Sequence, residues 1–175
     1  MVTKIVDVDS GAEISRPEEG LSAAGELRVK GPNVMLGYHH NEEATRDAFD
    51  ADGFLRTGDL ARVDAAGCVY IVDRLKELIK YKGYQVAPAE LEAVLLTHPE
   101  IVDAAVVGVI DDEAGGEVPK AFVVKQTNAT LAAADIMSFV ACRVAPYKKI
   151  RHVEFIEQIP KSAAGKILRA NLRSR

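Results

Sequence analysis

The sequence predicts an α+β fold over residues 75–175, with a central antiparallel or mixed sheet and flanking helices. A β-rich segment that reads as the end of a larger domain precedes it. Three observations carry this prediction. Short period-two runs separated by turn signals fill residues 1–72. Val102 to Ile110 is a nearly continuous apolar run with the β-branched content of a buried strand. Helix-period stretches with clear starts and stops then interleave with strands to the end of the chain.

Taken in order, Val2 to Val8 alternates weakly and meets the turn signal Asp9-Ser10-Gly11, so a hairpin starts the chain. Arg16 to Gly20 is a polar loop, and Glu26 to Lys30 alternates as a strand. Asn41 can cap a short helix running to about Phe49, with Glu42 and Glu43 at its positive end. Asp50 to Gly53 is a turn, followed by strands over Leu60 to Val63 and Cys68 to Val72. Asp73 to Lys76 is a charged junction. Glu77 to Tyr81 and Tyr84 to Val86 read as a hairpin around Lys82-Gly83. Pro88 begins a helix that His98-Pro99 stops. Val118 to Lys125 is the expected partner of the apolar run. Ala132 to Cys142 is a helix with Ile136, Phe139 and Val140 on one face, and His152 to Ile156 is a last strand. A loop over Pro160 to Gly165 leads to a final helix over Lys166 to Leu172.

Composition narrows the function. With 48% hydrophobic and 27% charged residues in 175, a packed core is affordable and wholesale disorder is excluded. No run is apolar enough for a membrane span, and no targeting leader is recognised. Two cysteines make no disulfide framework, so a cytoplasmic location with reduced thiols is expected. The net charge of −4 argues against a general nucleic-acid binder. It hides an asymmetry. From Tyr147 onward eight basic residues face two acidic ones, a net +6, while residues 1–146 carry −10, from 14 basic and 24 acidic. The tail reads either as a solvated basic face, for the most part, or as a site for an anion such as phosphate.

Three clusters could carry chemistry. In Arg56-Thr57-Gly58-Asp59 the glycine permits a tight backbone and Asp59 presents two carboxylate oxygens, suited to a ribose diol or merely to a turn. In Asp73 to Gln85 the even spacings of Lys76, Lys80 and Lys82 put them on one face of a strand. With Arg74 nearby they suit a polyphosphate, or else a charged edge that deters aggregation. Pro160-Lys161-Ser162-Ala163-Ala164-Gly165-Lys166 is a flexible loop ending in Gly-Lys. It is not a P-loop, because Pro160 and Ile167 stand where that motif needs Gly and Ser or Thr. His39, His40, His98, His152 and both cysteines have no sequence neighbours that would make them metal ligands or nucleophiles.

Jointly, Arg56-Thr57-Gly58-Asp59-Leu60, the run Val72 to Glu92 (VDRLKELIKYKGYQVAPAELE), and Pro160 to Arg169 (PKSAAGKILR) resemble the C-terminal motifs of adenylate-forming enzymes. These are the acyl-CoA synthetases, 4-coumarate–CoA ligases and beetle-type luciferases, and the 4-coumarate–CoA ligase branch is most similar. The resemblance implies an ATP-dependent acid–thiol ligase that makes an acyl-adenylate and then a CoA thioester, releasing pyrophosphate and AMP. It implies an incomplete N-terminal domain over residues 1–72, a hinge at 73–74 with Asp73, and a mobile C-terminal domain over 75–175. Asp59 and Arg74 resemble the residues that contact ATP or AMP, and Lys166 the adenylation lysine. Lys76, Lys80 and Gln85 resemble residues serving the adenylate or the thioester conformation, and Lys82 and Gly83 the CoA-contacting pair.

The family's phosphate-binding loop and acyl pocket have no counterpart here. The resemblance therefore implies that the chain acts with an N-terminal domain, that Mg2+ ligands lie outside it, and that by itself it is inactive. With the acyl pocket outside these residues, coumarate, a fatty acid and other carboxylic acids all stay open as substrate. A lysine acetyltransferase and deacetylase acting on Lys166 would switch its charge. The competing readings are a free-standing binding or regulatory module and a luciferase-like oxygenase. The ending Arg173-Ser174-Arg175 lacks the peroxisomal Ser-Lys-Leu signal, which favours a cytoplasmic ligase.

Overall fold

The computed structural model describes residues 1–173. They fall into two compact units, which divide between Lys76 and Glu77.

The first unit is an antiparallel sheet with one short helix. Its strands are β1 (Val2–Val6), β2 (Glu13–Ile14), β3 (Gly25–Lys30), β4 (Leu55–Val63) and β5 (Val69–Arg74), in the order β2-β1-β3-β4-β5. Helix α1 (Glu42–Ala48) begins where Asn41 caps it, its Oδ1 accepting the Ala44 N–H at 2.9 Å. The predicted opening hairpin forms, and β1 also pairs along its whole length with β3. Strand β4 is longer than the sequence suggests. It starts at Leu55 and absorbs the Arg56-Thr57-Gly58-Asp59 motif. Few side chains are buried here, chiefly Ile5, Val6, Leu60 and Ala61. An ion network supplements them: Asp50 accepts Lys4 Nζ at 2.8 Å and Arg28 Nη1 at 3.2 Å, and Arg28 Nε also reaches Glu26 at 2.8 Å.

The second unit is α+β. After a 3-10 turn (Leu75–Glu77) that leads into it come the hairpin β6 (Ile79–Tyr81) and β7 (Tyr84–Val86), and helix α2 (Pro88–Leu96). Then follow β8 (Ile101–Asp111), β9 (Gly116–Lys125), helix α3 (Ala133–Ala141), a 3-10 turn (Pro146–Lys148), β10 (His152–Phe155) and helix α4 (Arg169–Arg173). The sheet order is β10-β9-β8, with β8 and β9 antiparallel and β10 parallel to β9. The continuous apolar run of β8 is explained by a sheet covered on both faces. Ala104 and Val106 enter a core with Ile79, Val86, Leu91, Leu95, Ile136 and Val140. Ala105 and Val107, pointing the other way, join Phe122, Ile159 and Leu172.

Two local expectations are corrected. The final helix covers Arg169–Arg173 rather than 166–172, because Ile167 bridges back to Lys161 and Leu168 N–H bonds Pro160 O at 2.8 Å. Those bonds spend on a loop the peptide groups that a helix from Lys166 would need. Lys76, Lys80 and Lys82 do not share a strand face. Lys76 sits in the 3-10 turn and Lys82 in the hairpin turn at φ 46°, so the period-two rule applies to Lys80 alone.

Candidate functional site

In the first unit, the structure brings together Asp59 and Arg74. They face each other across β4 and β5, and Arg74 Nε donates to Asp59 Oδ1 at 2.7 Å. What holds Asp59 there is a bulge in the β3–β4 ladder between Glu26 and Arg28. The extra residues are on β4, where Thr57, Gly58 and Asp59 stand against Leu27, and Gly58 takes φ 69°, a conformation that a side chain resists. Thr57 pins the bulge: its Oγ1 donates to Leu27 O at 2.7 Å and accepts the Asp59 N–H at 3.0 Å. Thr57 is a positioning residue that the motif alone did not single out. Arg74 Nη1 also reaches Thr57 O at 3.3 Å, and buried Asp73 accepts the Arg74 N–H at 2.7 Å. Lys76 is exposed at the end of this unit.

In the second unit, the hairpin presents Lys80 and Gln85 as a directly opposed, exposed pair. Lys82 and Gly83 form the two-residue turn with φ 46° and 83°, the geometry of a type I′ turn whose twist matches its strands. Three contacts orient the hairpin, and none was visible locally in the sequence. Glu117 Oε2 accepts the Lys80 N–H at 2.8 Å. Tyr84 stacks on Tyr147 with ring centroids 4.4 Å apart. Arg151 donates to the Tyr81 hydroxyl at 3.3 Å, and this hydrogen bond draws the phenol below its ordinary pKa.

Lys166 lies on a separate hairpin-like loop. Ser162 N–H bonds Lys166 O at 2.8 Å, Lys166 N–H bonds Ser162 Oγ at 3.2 Å, and the Lys161–Ile167 bridge closes the stem. The loop's feet are fixed: Lys161 Nζ reaches Asp103 at 2.6 Å, and Arg169 Nη2 reaches both oxygens of Glu92 at 2.8 Å. The Lys166 side chain is exposed, and no ion pair engages it among the described residues. The two lysine-bearing features belong to opposite sides of the sheet. The β6–β7 hairpin is rooted through Ile79 and Val86 in one core, and the Lys166 loop through Ile159, Ile167 and Leu172 in the other.

Among the described residues no group of three or more His, Cys, Asp or Glu could hold a metal ion, and no helix is long and apolar enough to cross a membrane. His152 pairs with Asp111 at 2.7 Å, an exposed structural contact.

Residues 90–166 match the family described as the AMP-binding enzyme C-terminal domain. The chain is 56% identical over 172 residues to peroxisomal OPC-8:0-CoA ligase 1 of Arabidopsis thaliana, an alignment spanning 98% of this chain and 30% of that protein. It is 51% identical over 170 residues to 4-coumarate–CoA ligase 1 of Oryza sativa subsp. japonica, spanning 97% of this chain and 29% of that protein. Among solved structures, ATP-bound MatB from Rhodopseudomonas palustris is similar with a TM-score of 0.90 at 33% identity, covering 99% of this chain and 33% of that one. The chain thus spans about a third or less of its relatives' length. The motifs, the fold and these relatives agree that it belongs to the adenylate-forming, AMP-binding enzymes, with 4-coumarate–CoA ligase-like proteins as its kin.

Proposed function

We propose that this chain supplies the C-terminal machinery of an ATP-dependent carboxylate–CoA ligase. Residues 1–72 contribute to an N-terminal domain, Asp73 and Arg74 act as hinge, and residues 75–175 move as the C-terminal domain. The observation that carries this reading is the rooting of the Lys166 loop and the β6–β7 hairpin on opposite sides of one sheet. One small domain therefore offers two chemically distinct faces, as a reaction in two half-steps requires.

In the first half-step a carboxylate oxygen of the acid attacks the α-phosphorus of ATP and the bond to pyrophosphate breaks. Negative charge gathers between two anions, and the exposed Lys166 ammonium is suited to bridge them. Asp59 accepts the ribose hydroxyls while Arg74, held by its Oδ1, contacts the nucleotide. In the second half-step the CoA sulfur attacks the acyl carbon and the bond to AMP breaks. Lys82 and Gly83 line the path of CoA, because a type I′ turn lets backbone approach a ligand closely, while Lys76, Lys80 and Gln85 serve the adenylate. Mg2+ draws its ligands from outside these residues. The exposure of Lys166 also makes it reachable by a lysine acetyltransferase. Two exposed free thiols suit a reducing compartment such as the cytoplasm.

The chain alone performs neither half-step on this reading. The test uses the enzyme that contains it. Lys166→Ala is expected to lower ATP–pyrophosphate exchange by about 100-fold or more, while thioester formation from a supplied acyl-adenylate stays within about twofold of wild type. Equal loss of both would remove Lys166 from its proposed role.

A further inference from the structure

Strand β8 has β9 on one side and, among the described residues, no strand on the other. On that open edge the peptide of Val106 is satisfied by two side chains. Glu92 Oε1 accepts its N–H at 2.9 Å, and Arg169 Nε donates to its C=O at 3.3 Å. The same two side chains pair with each other, both Glu92 oxygens lying 2.8 Å from Arg169 Nη2. A ring of charge-assisted hydrogen bonds therefore stands in for a missing strand. Glu92 comes from α2, whose Leu91 and Leu95 fill one core. Arg169 begins α4, whose Leu172 fills the other. The pair thus wraps the sheet edge and ties the two faces together.

Arg169 lies three residues beyond Lys166, past a loop closed by its own internal bonds. The loop's direction is set by its two feet. The Lys161–Asp103 foot is solvated, with side chains 38% and 27% exposed, and holds weakly. The Arg169–Glu92 foot is 13% and 11% exposed and bonded to the Val106 peptide as well, so it fixes the loop's direction through more bonds, and removing one partner is costly.

We propose that Glu92 and Arg169 are a positioning pair that aims the Lys166 ammonium for adenylate formation. The proposal rests on the reading of Lys166 given above. A misplacement of about 1 Å costs about 100-fold in a step that depends on alignment. The step served by the other face keeps its own anchors at Glu117 and Tyr147 and is spared.

Two measurements test this. The first uses the enzyme containing the chain, with Glu92→Gln and, because a buried arginine left without its carboxylate can unfold the domain, Arg169→Lys. The lysine keeps the charge but loses the fork that reaches both Glu92 and Val106. Expected for either folded variant is a fall of about 10- to 100-fold in kcat for adenylate formation. The KM for ATP and the rate of thioester formation from supplied adenylate stay within about twofold. The second is amide hydrogen exchange on this chain, where the Ser162, Lys166 and Leu168 amides should exchange faster in the variants. Unchanged exchange with unchanged adenylation, or a parallel fall in both half-steps, overturns the positioning role. Faster loop exchange upholds the anchor even if Lys166→Ala shows that Lys166 is not the adenylation lysine, so the two failures are distinguishable.

Discussion

At the scale of single residues, much of the fold rests on carboxylates whose partners lie far away in sequence. Asp50 is the clearest case. Burial pushes its pKa up, but hydrogen bonds from Lys4, the Phe54 N–H and Arg28 outweigh it and hold the carboxyl well below its ordinary value. A folded-state value below the unfolded one stabilises the first unit fully above about pH 5, and the contribution is lost as pH falls through and below about 4. Unfolding of the chain by urea, followed by tyrosine fluorescence, should show that loss between pH 6 and pH 3. Asp50→Asn should cost about 2 kcal/mol at pH 7, since Lys4 and Arg28 keep Asp52 and Glu26, and should flatten the acid slope. An unchanged slope in the variant would assign the acid sensitivity elsewhere. Residues whose partners are local, such as the Asn41 cap, were readable in the sequence. Thr57, Glu92 and Glu117 were not, because each acts on a strand or loop between 14 and 77 positions away.

At the scale of elements, the strand and helix assignments followed from periodicity and punctuation. The helix predicted over Ala132 to Cys142 forms over Ala133–Ala141, and Pro88 begins α2. The failures have physical causes. A 3-10 turn and a left-handed turn residue break the lysine stripe, and a closed loop delays the last helix. The hairpin's placement depends on Gly108 in β8. A Cβ there would stand 2.8 Å from Glu117 Cδ and Oε1, the carboxylate that holds Lys80 N–H. Gly108→Ala should displace that carboxylate at a cost of about 1 to 2 kcal/mol, the worth of a hydrogen bond to a charged acceptor. Hydrogen exchange at the Lys80 amide should speed up markedly, while the amides of β8 facing β9 stay protected. Undisturbed protection of Lys80 would show that the stacked tyrosines hold the hairpin without Glu117.

At the scale of the whole molecule, the charge asymmetry resolves into contacts. The basic tail is less of a solvated face than its composition suggests. Lys148, Lys161, Arg169 and Arg173 pair with Glu90, Asp103, Glu92 and Glu77, all in the acidic part of the same unit. Lys166 stands apart from these pairings. The proposed division of two half-reactions between two faces rests on that contrast and on the two roots on opposite sides of the sheet. The most direct measurement compares both half-reactions in wild type, Lys166→Ala and Gly83→Ala of the enzyme containing this chain. A side chain at Gly83 is strained at φ 83°, so the turn proposed to contact CoA is disturbed while the Lys166 loop is not. A crossed result is expected: Lys166→Ala loses ATP–pyrophosphate exchange and keeps thioester formation from supplied adenylate, and Gly83→Ala does the reverse. Parallel loss of both activities in either variant would contradict it.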